Sequence, residues 1–198
     1  MILFLDFDGV LHGEPELRRC TPTATKFLND DEKRFVTKNH QRVISFDDGP
    51  LFGHAERLAE VLAGFESVDI VISSSWRTHF DLHRLAGFLP PVLGNRVVGA
   101  TPVLDASNPD GMRRLECETW LNMRGMACCP WLALDDMPEL FFAGRYAPVP
   151  PNLVWCGDMF GEVEAAELSQ KISVIQAAGD DWQAALAAVH ERLSRDKS

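Results

Sequence analysis

The sequence predicts an α/β domain: a parallel sheet of about five strands flanked by helices, with a small flap or hairpin insert after the first strand and no large cap. Three observations predict it. Short apolar runs alternate with longer helical patterns, which implies parallel strands joined by right-handed crossovers. Four of the five apolar runs end in polar residues, at Asp6 to Asp8, Ser73 to Ser75, Asp135-Asp136 and Gly157-Asp158, and the C-terminal edge of such a sheet is where ligands bind. A hydrophobic fraction of 46% over 198 residues is enough for one packed core, so residues 1–198 are expected to form a single domain.

Met1-Ile2-Leu3-Phe4-Leu5 is the first strand, apolar throughout as a strand buried on both faces should be. Residues 12–50 then interrupt the alternation. They are polar, and two β-like runs, Arg34 to Thr37 and Arg42 to Phe46, flank Lys38-Asn39-His40-Gln41 as a turn, which reads as a flap over the crevice. A helical pattern from His54 to Phe65 leads to the second strand, Val68 to Ile72, and another from Thr78 to Phe88 leads to a weaker third strand, Arg96 to Gly99. Met112 to Met123 reads as a helix, Trp131 to Leu134 as the fourth strand and Leu153 to Cys156 as the fifth. Helical patterns from Glu162 to Ala178 and Asp181 to Leu193 close the chain, and Ser194 to Ser198 reads as a frayed tail. Pro90-Pro91 and Pro148-Val149-Pro150-Pro151 are loop punctuation.

The net charge of −10, with a pI near 5.0, disfavours an extended footprint on nucleic acid. No lysine lies between Lys38 and Lys171, so a phosphate contact from the middle of the chain must use arginine. The five cysteines, Cys20, Cys117, Cys128, Cys129 and Cys156, are odd in number and lack a Cys-x-x-Cys pair, which fits reduced thiols in the cytoplasm. Asp6 cuts the opening apolar run too short for a signal peptide, and no segment reaches the length of a membrane span. A soluble, cytoplasmic protein is the expectation.

The chemistry starts at Asp6-Phe7-Asp8-Gly9-Val10-Leu11. In a strand, residues 6 and 8 point to one face, and two carboxylates there repel unless a cation offsets them. Gly9 supplies backbone freedom for a sharp exit. The order of this motif, a serine cluster at Ser73-Ser74-Ser75 and an acidic pair at Asp135-Asp136 resembles the haloacid dehalogenase (HAD) superfamily over about residues 1–158. Ser73-Ser74-Ser75-Trp76-Arg77 and Leu134-Asp135-Asp136-Met137-Pro138 further resemble the HAD domains of the Swiss Army Knife RNA-repair group.

The resemblance implies a Rossmann-like sheet and a Mg²⁺-dependent phosphatase. Asp6 would attack phosphorus and carry an aspartyl-phosphate, while Asp8 would protonate the leaving oxygen and then activate water. Magnesium prefers hard oxygen ligands, which Asp6, the backbone carbonyl of Asp8 and Asp136 would supply, with Asp135 behind them. Asp158 in Gly157-Asp158 is the competing last ligand. Ser74 is the hydroxyl expected at a phosphoryl oxygen, with Ser73 the alternative and Ser75 beside them. The family's usual lysine is missing, and Arg113 or Arg114 would replace it. Arg113 shares a helical face with Cys117 and Trp120 and should point inward.

Three further features stand beside these. His79 and His83 are four apart but lack a third ligand for zinc. His12 serves either substrate contact or a flap hinge. Trp76 and Arg77 either clamp a nucleoside at the crevice mouth or pack into the domain. The substrate expected is a phosphorylated small molecule, a nucleotide or a phosphorylated nucleic-acid end. The competing readings are a catalytically silent binding module and a phosphotransferase.

Overall fold

The computed structural model describes residues 1–12, 52–105, 110–142, 148–157 and 159–196. Five parallel strands form one sheet in the order β3-β2-β1-β4-β5. They are β1 (Ile2–Leu5), β2 (Asp69–Ile72), β3 (Val97–Ala100), β4 (Trp131–Asp135) and β5 (Leu153–Trp155). The first, central strand is buried along its whole length, as an all-apolar sequence in the middle of a parallel sheet requires. Each of the five apolar runs becomes a strand, with ends shifted by no more than a residue or two from the sequence reading.

The helices are α1 (Ala55–Ala63), α2 (Leu82–Gly87), α3 (Pro91–Gly94), α4 (Met112–Met123), α5 (Glu162–Ala178) and α6 (Trp182–Asp196). The sequence reading of one helix from Thr78 to Phe88 is corrected. Ser75–Thr78 forms a separate 3₁₀ turn, and Asp81 starts a new helix by accepting a hydrogen bond from Arg84 N at 2.8 Å. His79 and His83 therefore lie on different elements, both exposed. Pro91 does more than punctuate a loop: it begins the short α3, where a missing N–H costs nothing. The 12–50 flap falls almost wholly outside the described residues, as do Cys20 and Asp158.

Packing fixes α4 over the sheet. Phe4 of β1 meets Trp120 of α4 edge-on at 6.0 Å and Trp131 of β4 at 5.5 Å, geometries that aromatic quadrupoles favour. Because Trp120 and Cys117 are buried on this face, Arg113 at the N-terminal end of the same stripe is carried over the ends of the strands. No helix among the described residues is long and apolar enough to cross a membrane.

Candidate active site

Register places the site. Leu5 pairs with Ile72 on one side and Leu134 on the other, so the next residues, Asp6, Ser73 and Asp135, emerge side by side. Backbone bonds extend the pairing: Asp6 N donates to Leu134 O at 3.0 Å and Ser73 N to Leu5 O at 2.9 Å. Beyond Asp6 the chain turns tightly, with Gly9 N donating to His12 O at 2.9 Å and Leu11 N to Phe7 O at 2.9 Å. Gly9 adopts φ 69°, a left-handed conformation that favours glycine. A Cβ added there would also overlap the Asp136 carboxylate, so the glycine leaves room for that acid to lie against the loop.

Carboxylate oxygens of Asp6, Asp135 and Asp136 lie within 4.8 Å of one another. Asp135 is fully buried, which brings it into the cluster as closely as Asp136, although the sequence reading set it behind. One of its oxygens accepts from Met137 N at 2.9 Å; the other, Oδ2, is buried without a hydrogen-bond partner. Burial raises the Asp135 carboxyl well above its ordinary range and the Asp6 charge raises it further, against Arg113 and the Met137 N–H. Asp6 is also raised, first by burial and then by Asp8, while Arg113, the Phe7 N–H and the Ser74 hydroxyl oppose the shift. Buried carboxylates set this close call for a cation. Their hard oxygens and the orphan Oδ2 fit a magnesium-like ion.

Among the described residues, Arg113 stands beside the cluster. It is almost fully buried, and its Nε stands 3.6 Å from Asp135 Oδ2. Its Nη1 is buried with no hydrogen-bond partner, a donor left unspent. Burial alone would depress its pKa, but Asp6, Asp135 and Glu116 together outweigh that and raise it. Arg114 faces elsewhere: half-exposed, it bonds Glu118 at 2.7 Å and lines a 320 Å³ surface cavity with Trp131 and Trp182. Position 113 is thus at the acid cluster and position 114 is not.

The serines divide. Ser74 opposes the rise at Asp6 through its hydroxyl and caps the 3₁₀ turn by accepting from Trp76 N at 3.4 Å. Ser73 Oγ is buried without a partner, a hydroxyl free to donate at the same edge. Ser75 is exposed, with its Oγ 3.5 Å from Asp8 Oδ2.

Of the two readings of Trp76 and Arg77, packing into the domain fits their contacts and the nucleoside clamp does not. Arg77 donates to the carbonyls of Ser73 and Ser74, both at 2.7 Å, and to Thr101 O at 3.1 Å. Its remaining nitrogen pairs with Glu116. Burial, followed by repulsion from Arg113, lowers its pKa despite Glu116 and Asp6. Trp76 is wholly buried, so neither side chain presents a surface to a base. Trp76 instead donates its indole N–H to Asp8, 3.0 Å from Oδ1 and 3.1 Å from Oδ2. His12 Nε2 lies 3.0 Å from the same Oδ1. Asp8 thereby turns its side chain toward Trp76 and His12, leaving its backbone carbonyl as what it can offer a metal.

Glu116 escaped the sequence reading. The available signal was an acid three residues after Arg113, next to the apolar Cys117: a carboxylate on a buried face must have a cation partner. The Cys117 thiol is itself buried and pushed well up by that burial, which makes it inert packing rather than a nucleophile.

No curated protein sequence and no solved structure matches the chain significantly. The family model of the HAD domain in Swiss Army Knife RNA repair proteins matches residues 2–161, a span that begins at β1, ends at the start of α5 and includes every acid, serine and arginine of the cluster. The chain belongs to the family of HAD domains in Swiss Army Knife RNA repair proteins.

Proposed function

We propose that the chain is a Mg²⁺-dependent phosphomonoester hydrolase that works through an aspartyl-phosphate on Asp6. Its substrate would be a nucleotide, another phosphorylated small molecule or a phosphorylated nucleic-acid end. The observation that carries this reading is the division of labour among four carboxylates: Asp6, Asp135 and Asp136 converge within 4.8 Å, while Asp8 points to other partners. HAD membership supports a phosphohydrolase type of activity. The metal, the intermediate and the substrate are the proposal.

Asp6 Oδ attacks phosphorus as the bond to the leaving oxygen breaks, and Asp8 gives that oxygen its proton. Water then attacks phosphorus, its proton passes to Asp8, and the bond to Asp6 breaks to release phosphate. Arg113, whose Nη1 is unspent, offsets the charge on the transferring oxygens, where fixed donors act without reorganising. Ser74 or Ser73 supplies the hydroxyl donor. Asp6, Asp136, the Asp8 carbonyl and Asp135 would hold the cation. When bound, the ion would offset the carboxylate charges and polarise a phosphoryl oxygen. The net charge of −10 opposes a long polyanion and favours recognition of a terminal phosphate.

The test is phosphate release from nucleotides, sugar phosphates and phosphorylated RNA and DNA ends, with Mg²⁺ and with excess chelator. Release that requires Mg²⁺ or Mn²⁺ is expected. Undiminished release in chelator would dismiss the metal, and Mg²⁺ binding without release from any class would favour the silent binding module. Gly9→Ala is expected to displace Asp136 and to raise the Mg²⁺ needed for half-maximal activity by about 10–100-fold. An unchanged Mg²⁺ titration would show that Asp136 is not a ligand.

A further inference from the structure

We propose that Trp76 and His12 are positioning residues that hold the proton-transferring carboxyl of Asp8 turned away from the metal-type cluster and available to the leaving oxygen. The inference rests on the phosphatase reading above. A carboxylate next to three others and a cation would be drawn into the cation's shell, away from the leaving oxygen. Asp8 is restrained from doing so from two directions. The Trp76 N–H straddles both carboxylate oxygens at 3.0 and 3.1 Å, and His12 Nε2 lies 3.0 Å from Oδ1. Asp8 and His12 belong to one tight loop whose backbone pairs the two residues, while Trp76 arrives from the exit of β2.

Both ring nitrogens are themselves held. Trp76 is wholly buried, its ring centroid 5.3 Å from that of Phe88, 5.5 Å from Phe80, 5.6 Å from Phe52 and 6.0 Å from Phe7. His12 is buried edge-on against Phe52 at 4.8 Å. Phe52 reaches both rings with φ 61°, a conformation rare for an aromatic residue. A buried indole N–H needs an acceptor, and the acceptor here is the acid whose orientation the reaction depends on. With Asp8 so held, its proton passes to the leaving oxygen as the phosphorus–oxygen bond breaks, without a rotamer search.

The leaving group separates positioning from packing. An alkoxide departs only with a proton, whereas 4-nitrophenolate departs without one, and kcat/KM reports the steps up to formation of the aspartyl-phosphate. Trp76→Phe keeps an aromatic ring in the cluster and deletes only the donor. It is expected to lower kcat/KM for an alkyl phosphomonoester about 10–10²-fold, the cost of a misplaced catalytic group, and to leave 4-nitrophenyl phosphate nearly unaffected. His12→Ala should show the same selectivity, and His12→Gln, which retains an N–H, should restore part of the loss; this pair makes the comparison without altering the indole. In an Asp8→Asn background, Trp76→Phe should cost nothing more, because the partner through which it acts is already lost. Equal losses on both substrates, or an additive loss in Asp8→Asn, would assign the two rings to packing alone and overturn the inference while the phosphatase reading stood. Absence of turnover of both substrates by the unaltered chain would overturn the phosphatase reading and the inference with it.

Discussion

Asp6→Asn is expected to reduce phosphate release to background while leaving the fold nearly intact. The side chain is almost fully buried, one oxygen accepting Phe7 N at 2.8 Å, and an amide oxygen of the same shape can keep that bond. What the amide lacks is the anionic oxygen that attacks phosphorus. The fold should tolerate the change because burial already disfavours the charge, holding the Asp6 carboxyl above its ordinary range. The matched measurements are phosphate release, circular dichroism, and mass spectrometry of the trapped chain, which should show a phosphoryl adduct in the unaltered protein alone. Activity near the original level in Asp6→Asn would end the covalent mechanism. Asp8→Asn should lose the part due to proton transfer, about 10²–10⁴-fold.

The second large effect is expected at Arg113. Arg113→Ala removes a cation 3.6 Å from Asp135 and leaves the buried carboxylates of Asp6 and Asp135 unoffset by it. Breaking a buried pair from one side costs about 3–5 kcal/mol, so the denaturation midpoint should fall along with activity. Loss of one preorganised donor at the transferring oxygens lowers turnover about 10²–10³-fold. Arg113→Lys should recover part of the activity by restoring charge without the planar fork. Arg114→Ala should change stability by no more than about 0.5 kcal/mol, as a half-exposed residue outside the cluster. A larger loss of activity at Arg114 than at Arg113 would reverse the assignment.

The sheet was legible because its signals are local. Each strand is a short apolar run, four of the five end abruptly in polar residues, and parallel pairing brings those ends to one edge whatever the loop lengths. The acids of the cluster were legible for the same reason, since each lies at or directly after the end of a strand. Arg113 required one more step, the helical spacing to Cys117 and Trp120, and the structure places it over the acids. What the sequence could not show is where side chains turn once they arrive. Nothing in Ser75-Trp76-Arg77 indicates that the tryptophan faces Asp8 or that the arginine faces backbone carbonyls. Those directions depend on Asp8, 68 positions from Trp76, and on Thr101 and Glu116, 24 and 39 positions from Arg77. The break at Asp81 was missed because a cap and a surface acid look alike without the backbone bond that distinguishes them.

Arg77 has a consequence for reading genetic data. It ties the serine loop, the exit of β3 at Thr101 and, through Glu116, the helix that carries Arg113. The serine loop and the helix carrying Arg113 are therefore parts of one braced frame. A survey of substitutions would score position 77 as intolerant as the acids themselves, yet the side chain meets none of the reacting atoms. Intolerance at Arg77 and Glu116 should come with loss of soluble protein, whereas intolerance at Asp6 should not. Abundance measured beside activity would thus sort the residues that build the frame from those that use it.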